Sequence, residues 1–167
     1  LWNRCGLAGE ASARFAALAP KVSEQVAAAD AAAFWLSMVV VAPESPPPAV
    51  VAAANAAVEA YQALDDRPRW AYALCWRAIV DGQRGELDQA ARDVAAAAAL
   101  DEPGWPPLLR AMILLAECSL HTRRGDAPRA RAVSGARVGV GPGACAVGGL
   151  AGATGMPTGP ADRGGEK

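Results

Sequence analysis

Cysteine and histidine have the widest chemical use of any side chains in this sequence, but their spacing argues against a metal, redox or catalytic site. No two cysteines form the CxxC pair on which zinc sites and thiol–disulfide motifs rely. The single histidine, His121, has no identifiable nucleophile or base partner in the sequence. It precedes Thr122-Arg123-Arg124, as expected where a helix ends, since cationic side chains stabilise that end of the helix dipole. We therefore expect no catalytic residue, no metal and no cofactor. The cysteines are Cys5, Cys75, Cys118 and Cys145, which we interpret as small buried apolar side chains in a reducing compartment.

Phosphate and nucleic-acid binding are also not expected. The glycine run GVGPGACAVGG at 139–149 has no Gly-Lys-Ser/Thr, so it lacks the lysine and hydroxyl that hold phosphate and magnesium. The formal net charge is −1, which gives no overall attraction to a polyanion. Five arginines form a loose cluster between residues 123 and 137, with no aromatic residues among them. We interpret this cluster as a solvent-exposed turn rather than a nucleic-acid-binding surface. The five are Arg123, Arg124, Arg129, Arg131 and Arg137.

Two acidic pairs, Asp65–Asp66 and Asp101–Glu102, lie in helix-breaking segments rather than in a recognisable cleft, so we interpret them as helix caps and solvent-facing charge. The longest strongly apolar run, Ala31–Ala42, is too short to span a bilayer. Residues 1–20 do not show the positively charged segment followed by an apolar segment that is typical of a signal peptide. These features favour a cytoplasmic, non-membrane protein. The first residue is Leu1 rather than methionine, which suggests a segment of a longer chain.

The elements that would position any site are helices. Hydrophobic residues make up 53% of the chain but aromatics only 5%, so most of the apolar content is alanine, the best helix former. Apolar periodicity predicts two leading helices at 8–19 and 21–42, the second ended by Pro43, and a third at 49–64. From Ser134 the sequence holds eleven of the seventeen glycines, so residues 134–167 are predicted to be a disordered tail.

Residues 70–100 predict a pair of helices. The first is apolar on nearly all sides, with Trp70, Leu74 and Ala78 in one stripe, and is therefore expected to be buried. Its two charges, Arg77 and Asp81, are expected to pair at i, i+4. Gly85 is expected to end this helix in a left-handed conformation. The second helix is expected to have one solvent-facing side and one apolar stripe. The solvent-facing side consists of Glu86, Asp88, Gln89, Arg92 and Asp93. The apolar stripe consists of Leu87, Ala90, Ala91, Val94, Ala97 and Ala98.

The pair then repeats. RGELDQA, which begins at Arg84, aligns with RGDAPRA, which begins at Arg124, a shift of forty residues. A period of about 20–50 residues is typical of a solenoid. The repeat predicts a domain at 1–133, comprising a degenerate pair at 21–64, a repeat at 70–100 and a partial repeat at 106–133, with its exposed apolar end near 108–120.

The two units resemble tetratricopeptide repeats. The small consensus positions match at Ala78, Ala90, Cys118 and Ala130, and the turn G-[ED]-x3-A is the most specific shared feature. More narrowly, residues 49–131 resemble the divergent repeats of large bacterial signal-transducing ATPases that regulate transcription. The resemblance implies an all-α fold of stacked antiparallel helix pairs. In such regulators the repeats form a sensor arm, while the nucleotide-binding and DNA-binding modules lie elsewhere.

In tetratricopeptide folds the first helix of each pair lines a concave groove. The resemblance therefore implies an apolar groove, suited to an apolar helix or ligand of a protein partner. Its expected lining is Tyr72, Cys75, Trp76, Ile79, Met112, Leu115 and Ser119. The alternative is that these residues are packed core. The leading functional hypothesis is a non-catalytic regulatory arm of a larger signal-transducing regulator, in contact with a protein partner or with adjacent domains. A free-standing adaptor is the alternative, and an all-helical enzyme is a third.

Overall fold

Over the residues that it describes, 8–41 and 46–138, the computed structural model is entirely helical, which confirms the predicted all-α class there. Short connections join most consecutive helices, so α4–α5 and α6–α7 each form a helical hairpin. In these two ranges the helices are α1 (Ala8–Gln25), α2 (Ala28–Val40), α3 (Pro48–Ala63), α4 (Arg67–Arg84), α5 (Leu87–Leu100), α6 (Pro107–Arg123) and α7 (Ala127–Val138).

The first two helices divide at a different place from the one that the sequence predicts. Helix α1 continues through Pro20 to Gln25, and α2 begins only at Ala28, so the predicted boundary at residue 20 is wrong. A proline removes one backbone hydrogen bond from a helix, and here the turns on both sides persist. The break falls instead at Val26 and Ala27, where Ala27 is extended. Neither residue is a turn or capping type, so no local signal marked this boundary.

Three helices end in the same turn. A residue with positive φ follows the last turn, and the next backbone N–H donates to a carbonyl five residues earlier, which satisfies one of the exposed carbonyls at the helix end. The left-handed residues are Asp65 (φ 52°), Gly85 (φ 86°) and Gly125 (φ 73°), so the prediction for Gly85 is confirmed. The matching bonds are Asp66 N–H to Tyr61 O (3.2 Å), Glu86 N–H to Asp81 O (2.9 Å) and Asp126 N–H to His121 O (2.9 Å).

The interior comprises two apolar clusters that share helices α2, α3 and α4. The larger joins α2 to α6 and includes Leu74 and Ala78, which confirms the stripe predicted for α4, with Trp70 partly buried beside it. The smaller joins α2 and α3 to Val80 of α4. Many members are alanines, whose small side chains let helices approach closely. Helix α4 is the central element, because it packs against α2, α3, α5 and α6.

Helix α7 packs against α6 and extends to Val138. The prediction that disorder begins at Ser134 is therefore wrong for residues 134–138, which continue the helix despite Gly135. The remainder of the predicted tail, 139–167, lies outside the described residues, as does Pro43. Helix α2 has already ended at Val40.

Candidate functional site

Helix α4 carries four of the seven predicted groove residues, and local sequence fixes both of its ends. At its start, the Asp66 carboxylate accepts the backbone N–H of Arg69 (3.1 Å), which confirms Asp66 as a cap. Pro68 occupies the first turn, where its missing N–H would have no helical partner. At the other end Gly85 closes the helix. These two signals set the ends of α4, and its packing against neighbouring helices sets which of its sides is covered.

A buried ion pair fastens α4 to α5. The Arg77 guanidinium donates Nε–H to Asp93 Oδ2 (2.7 Å) and a second N–H to Asp93 Oδ1 (2.8 Å), a two-point geometry that favours arginine over lysine. The Asp93 side chain is only 4% exposed, and Gln89 Nε2 also donates to it (3.0 Å). The sequence predicted that Asp93 lies on the solvent-facing side of α5 and that Arg77 forms an ion pair with Asp81. Both predictions are wrong.

The sequence did contain a signal for this pair. Arg77 is a charge on a helix that is otherwise apolar on nearly all sides, and a charge is rarely buried without a partner. Asp81 is the nearest acid on the same helix, so the sequence pattern favoured it as the partner of Arg77. The correct partner lies sixteen residues along, on the facing side of the hairpin, where only the packing of α5 against α4 brings it close.

The electrostatics of this cluster differ between its members. The hydrogen bonds that Arg77 donates to Asp93 raise the pKa of Arg77 above its usual value, and they outweigh burial, which lowers it. Asp81 is also buried, but its ion-pair partner, Arg84, is 3.5 Å away and half-exposed. Burial raises the pKa of the Asp81 carboxyl, and the negative charge of Asp93 raises it further. The surroundings of Arg77 therefore favour its charged form, whereas the surroundings of Asp81 disfavour its charged form.

Three of the predicted groove residues form a half-buried stripe on α4. Tyr72, Trp76 and Ile79 are spaced by four and three residues, so they lie on one side of the helix. The rings of Tyr72 and Trp76 meet edge to face, with centroids 6.3 Å apart. Trp76 packs partly on the smaller cluster, and Tyr72 and Ile79 pack partly on the larger one. We call these three residues the α4 stripe; they combine a packed base with an exposed apolar edge.

Two predicted groove residues are buried instead. Cys75 is 0% exposed and Met112 is 6% exposed, so neither lines a surface, and for them the packed-core alternative is the correct one. Burial raises the pKa of the Cys75 thiol to about 12, which removes it as a nucleophile. Cys118 is half-buried, with its Sγ 3.2 Å from Ser134 Oγ.

The last two predicted groove residues, Leu115 and Ser119, lie on an uncovered side of α6. They are half-buried, and Leu115 is part of neither apolar cluster. Leu108, one of the most exposed large apolar residues at 68%, lies two turns before Leu115 on the same side. Within the described residues no helix packs over this side of α6, whose neighbours are α4, α5 and α7. The prediction of an exposed apolar end near residues 108–120 holds for this side of α6 only, because Leu109, Ile113 and Leu120 are buried.

His121 lies in the last turn of α6, as predicted. Its ring nitrogens are 3.9 Å from Glu117 Oε1 and 3.8 Å from Asp126 Oδ2, and its side chain is 12% exposed. Within the described residues its buried Nδ1 makes no hydrogen bond. Both of these neighbours are carboxylates, which an imidazole does not need to activate as it activates a hydroxyl or a thiol.

Two of the loosely clustered arginines, Arg124 and Arg129, and the acidic pair Asp101–Glu102 make contacts at helix ends. Arg124 approaches Leu87 O (3.3 Å) and Asp88 (3.5 Å) of the preceding hairpin, and Arg129 approaches Asp126 (3.5 Å). Asp101 accepts from Arg110 (3.1 Å), and Glu102 pairs with Arg67. These pairs are largely exposed, and each contributes little to stability. Asp101 and Glu102 therefore hold the α5–α6 loop by ion pairs rather than by capping a helix.

The described ranges hold no group of three or more His, Cys, Asp or Glu side chains placed to bind a metal ion. None of the helices in those ranges has the length and apolar content needed to cross a bilayer. No protein-family model, no curated protein and no solved structure matches the chain. Any statement of function must therefore be argued from the geometry of these helices alone.

Proposed function

We propose that this chain is a non-catalytic helical-repeat module that binds an apolar segment of a protein partner along α4. The observation that supports this proposal is the α4 stripe. Aromatic side chains that are half-buried on a rigid base contribute strongly to protein interfaces, because they offer contact area at little entropic cost. Tyr72 and Trp76 meet that description, and α4 is held by four neighbouring helices.

The stacking of successive hairpins supports the same proposal. Helix α6 packs against both α4 and α5, so the second hairpin lies on the first, forty residues apart in sequence and with the same turn. Arrays of this kind present extended binding surfaces, since each unit adds one helix to the same face. We propose tetratricopeptide-type stacking on this basis, with the chain acting as the regulatory arm of a larger signal-transducing regulator.

Photo-cross-linking from the α4 stripe tests the proposal. A benzoylphenylalanine at Ile79 should capture a defined protein or domain in cells, whereas the same group at Ala96, exposed on α5, should not. The captured protein is then purified and titrated against the chain. Ile79→Lys should weaken binding about tenfold or more, through loss of apolar contact and introduction of a charge, and Ala96→Lys should leave it unchanged. Equal affinities for the two variants would exclude the α4 stripe as the binding surface.

A regulatory arm and a free-standing adaptor would use the same surface, so binding data do not separate them. The gene sequence does. In-frame nucleotide-binding and DNA-binding modules beside this segment would identify a regulatory arm. A gene that encodes no other module would identify an adaptor.

A further inference from the structure

Helix α5 buries a different side from the one that its apolar residues favour. Four of its residues are buried: Ala90, Asp93, Val94 and Ala97. Rotation of the helix by one residue position, about 100°, buries an alternative set with no charged member. That set is Ala91, Val94, Ala95 and Ala98. Burial of apolar area alone therefore favours the alternative, because it leaves the Asp93 carboxylate in solvent.

The apolar side chains of α5 do not select the observed rotation. Residues 95–99 are all alanine, so this part of the helix presents the same small side chain on every side. Val94 is covered in either rotation. Leu87 and Leu100, at the two ends, are both half-buried, and the rotation that covers the first more fully uncovers the second. Large and small side chains normally fix how two helices fit together, and here their contribution is nearly equal in the two arrangements.

The polar contacts do distinguish the two rotations. In the observed one, the Asp93 carboxylate accepts hydrogen bonds from Arg77 and from Gln89 Nε2. Arg77 also extends Nη1 to Asn55 Oδ1 of α3 (3.4 Å), so its guanidinium links α3, α4 and α5. Rotation of α5 by one position carries Asp93 away from Arg77. The guanidinium then lacks a charged partner on a helix that packs against four others, which is costly.

We propose that the pair of Arg77 and Asp93 sets the rotation of α5 against the apolar pattern of that helix. The pair supplies a directional contact that the alanine surface lacks, and only one rotation satisfies its hydrogen bonds. The effect extends to the second hairpin, because α6 packs against α5 and Arg124 donates to Leu87 O (3.3 Å). The rotation of α5 thus determines which of its sides α6 contacts. This role is independent of what binds the α4 stripe.

Thiol labelling of the full chain measures the rotation. Cys5, Cys118 and Cys145 are replaced by serine, the buried Cys75 is kept, and one further cysteine is introduced at an exposed position of α5. Arg77→Leu removes the partner of Asp93, so α5 should turn to expose the carboxylate and to cover position 98. The reaction of Ala98→Cys with an aromatic disulfide reagent should then slow about tenfold. The control is Ala96→Cys, which is exposed in both rotations and should react at an unchanged rate.

A second variant separates the rotation from the loss of the pair itself. Arg77→Leu combined with Asp93→Leu places an apolar side chain at the buried position 93, which favours the observed rotation again. Ala98→Cys should therefore react as fast in this background as in the parent. Slowed labelling in the double-leucine background overturns the proposal, and so does an unchanged rate at position 98 in folded Arg77→Leu.

A third variant serves if Arg77→Leu unfolds, or loosens the fold so that both introduced thiols react faster. Arg77→Leu combined with Asp93→Ala leaves no charge at either position and gives α5 two apolar sides of similar size. The two rotations should then be similarly populated, and the reaction of Ala98→Cys should slow about twofold while that of Ala96→Cys stays constant. Circular dichroism establishes which variants are folded. An unchanged rate at position 98 in this background overturns the proposal.

Discussion

The hairpins α4–α5 and α6–α7 share a turn but differ in what lies between their helices. Both close on a left-handed glycine, and both place an N–H bond across the end of the first helix. Between α4 and α5, however, lies the buried pair of Arg77 and Asp93, whereas forty residues later the equivalent positions hold Glu117 and Val133. The turn geometry is repeated, but the chemistry that fastens the two helices is not.

The difference teaches that a repeated backbone does not imply repeated burial. Helix α4 packs against four other helices, and a charge on its covered side, such as Arg77, can persist there only with a buried partner. Helix α6 is covered less completely, and its acidic residue, Glu117, is half-exposed beside His121. Four sets of substitutions, ordered from the largest expected effect to the smallest, test this contrast.

Removing one member of the buried pair should have the largest effect. Asp93→Ala leaves the Arg77 guanidinium, 17% exposed, without its two-point partner, and should lower the free energy of unfolding by about 3–5 kcal/mol. Val133→Ala, at the equivalent position of α7, should cost about 1 kcal/mol or less, because Val133 is only half-buried. Urea unfolding followed by circular dichroism measures both.

A double replacement shows whether the cost comes from the stranded charge. Arg77→Leu combined with Asp93→Leu should recover most of the loss, since apolar residues often replace a buried ion pair without penalty. If Asp93→Ala and Val133→Ala lower the free energy of unfolding equally, the buried ion pair does not fasten the first hairpin more strongly than the second.

Overpacking Ala71 of α4 and the equivalent Ala111 of α6 compares a buried side of α4 with the uncovered side of α6. Ala111 lies on that side, three residues after Leu108 and four before Leu115. Ala71→Leu forces three extra carbons into a fully buried site beneath neighbouring helices and should cost about 2 kcal/mol. Ala111→Leu, forty residues on, points into a half-covered space and should cost less than about 0.5 kcal/mol at protein concentrations where the chain is monomeric. Thermal and urea unfolding compare the two. Equal losses would mean that other parts of the chain cover this side of α6.

The sequence predicted the features of these hairpins that depend on local chemistry. Gly85 predicted the turn that ends α4, and apolar periodicity predicted the buried stripe of Leu74 and Ala78. It could not predict the break at Val26–Ala27, where no residue type marks a boundary. Nor could it place Asp93, whose burial depends on how α5 is rotated against α4. Of the seven groove residues that the family resemblance implied, five lie at a surface, whereas Cys75 and Met112 are buried.

The three shared turns should respond in opposite directions to glycine and alanine. Gly85→Ala and Gly125→Ala each place a Cβ at positive φ, and each should cost about 1 kcal/mol, although nothing crowds either site. Asp65→Gly relieves the same conformation at the end of α3 and should gain about 0.5 kcal/mol. Differences in urea midpoint report each effect. If Gly125→Ala alone is silent, the second hairpin does not close as the first one does.

The smallest effect expected is that of Asp81, which closes the first hairpin where His121 closes the second. Burial and the charge of Asp93 raise the pKa of the Asp81 carboxyl above its ordinary 3.8. The folded state then keeps a proton that the unfolded state has already released, so this group lowers stability as pH rises through the interval above 3.8. Asp81→Asn should remove that loss. The variant should be more stable than the parent at neutral pH by less than about 1 kcal/mol, because the weak contact with Arg84 is lost as well.

The pH dependence of this difference identifies its cause. The advantage of Asp81→Asn over the parent should grow with increasing pH from about 4 and level off once Asp81 is ionised in the folded state as well. Asp88→Asn, at a side chain 93% exposed, controls for the loss of one negative charge from the same hairpin. Urea unfolding at a series of pH values measures all three proteins. An advantage that shrinks with rising pH would mean that Asp81 stabilises the fold when charged, through Arg77 and Arg84, so that their attraction outweighs the cost of burial.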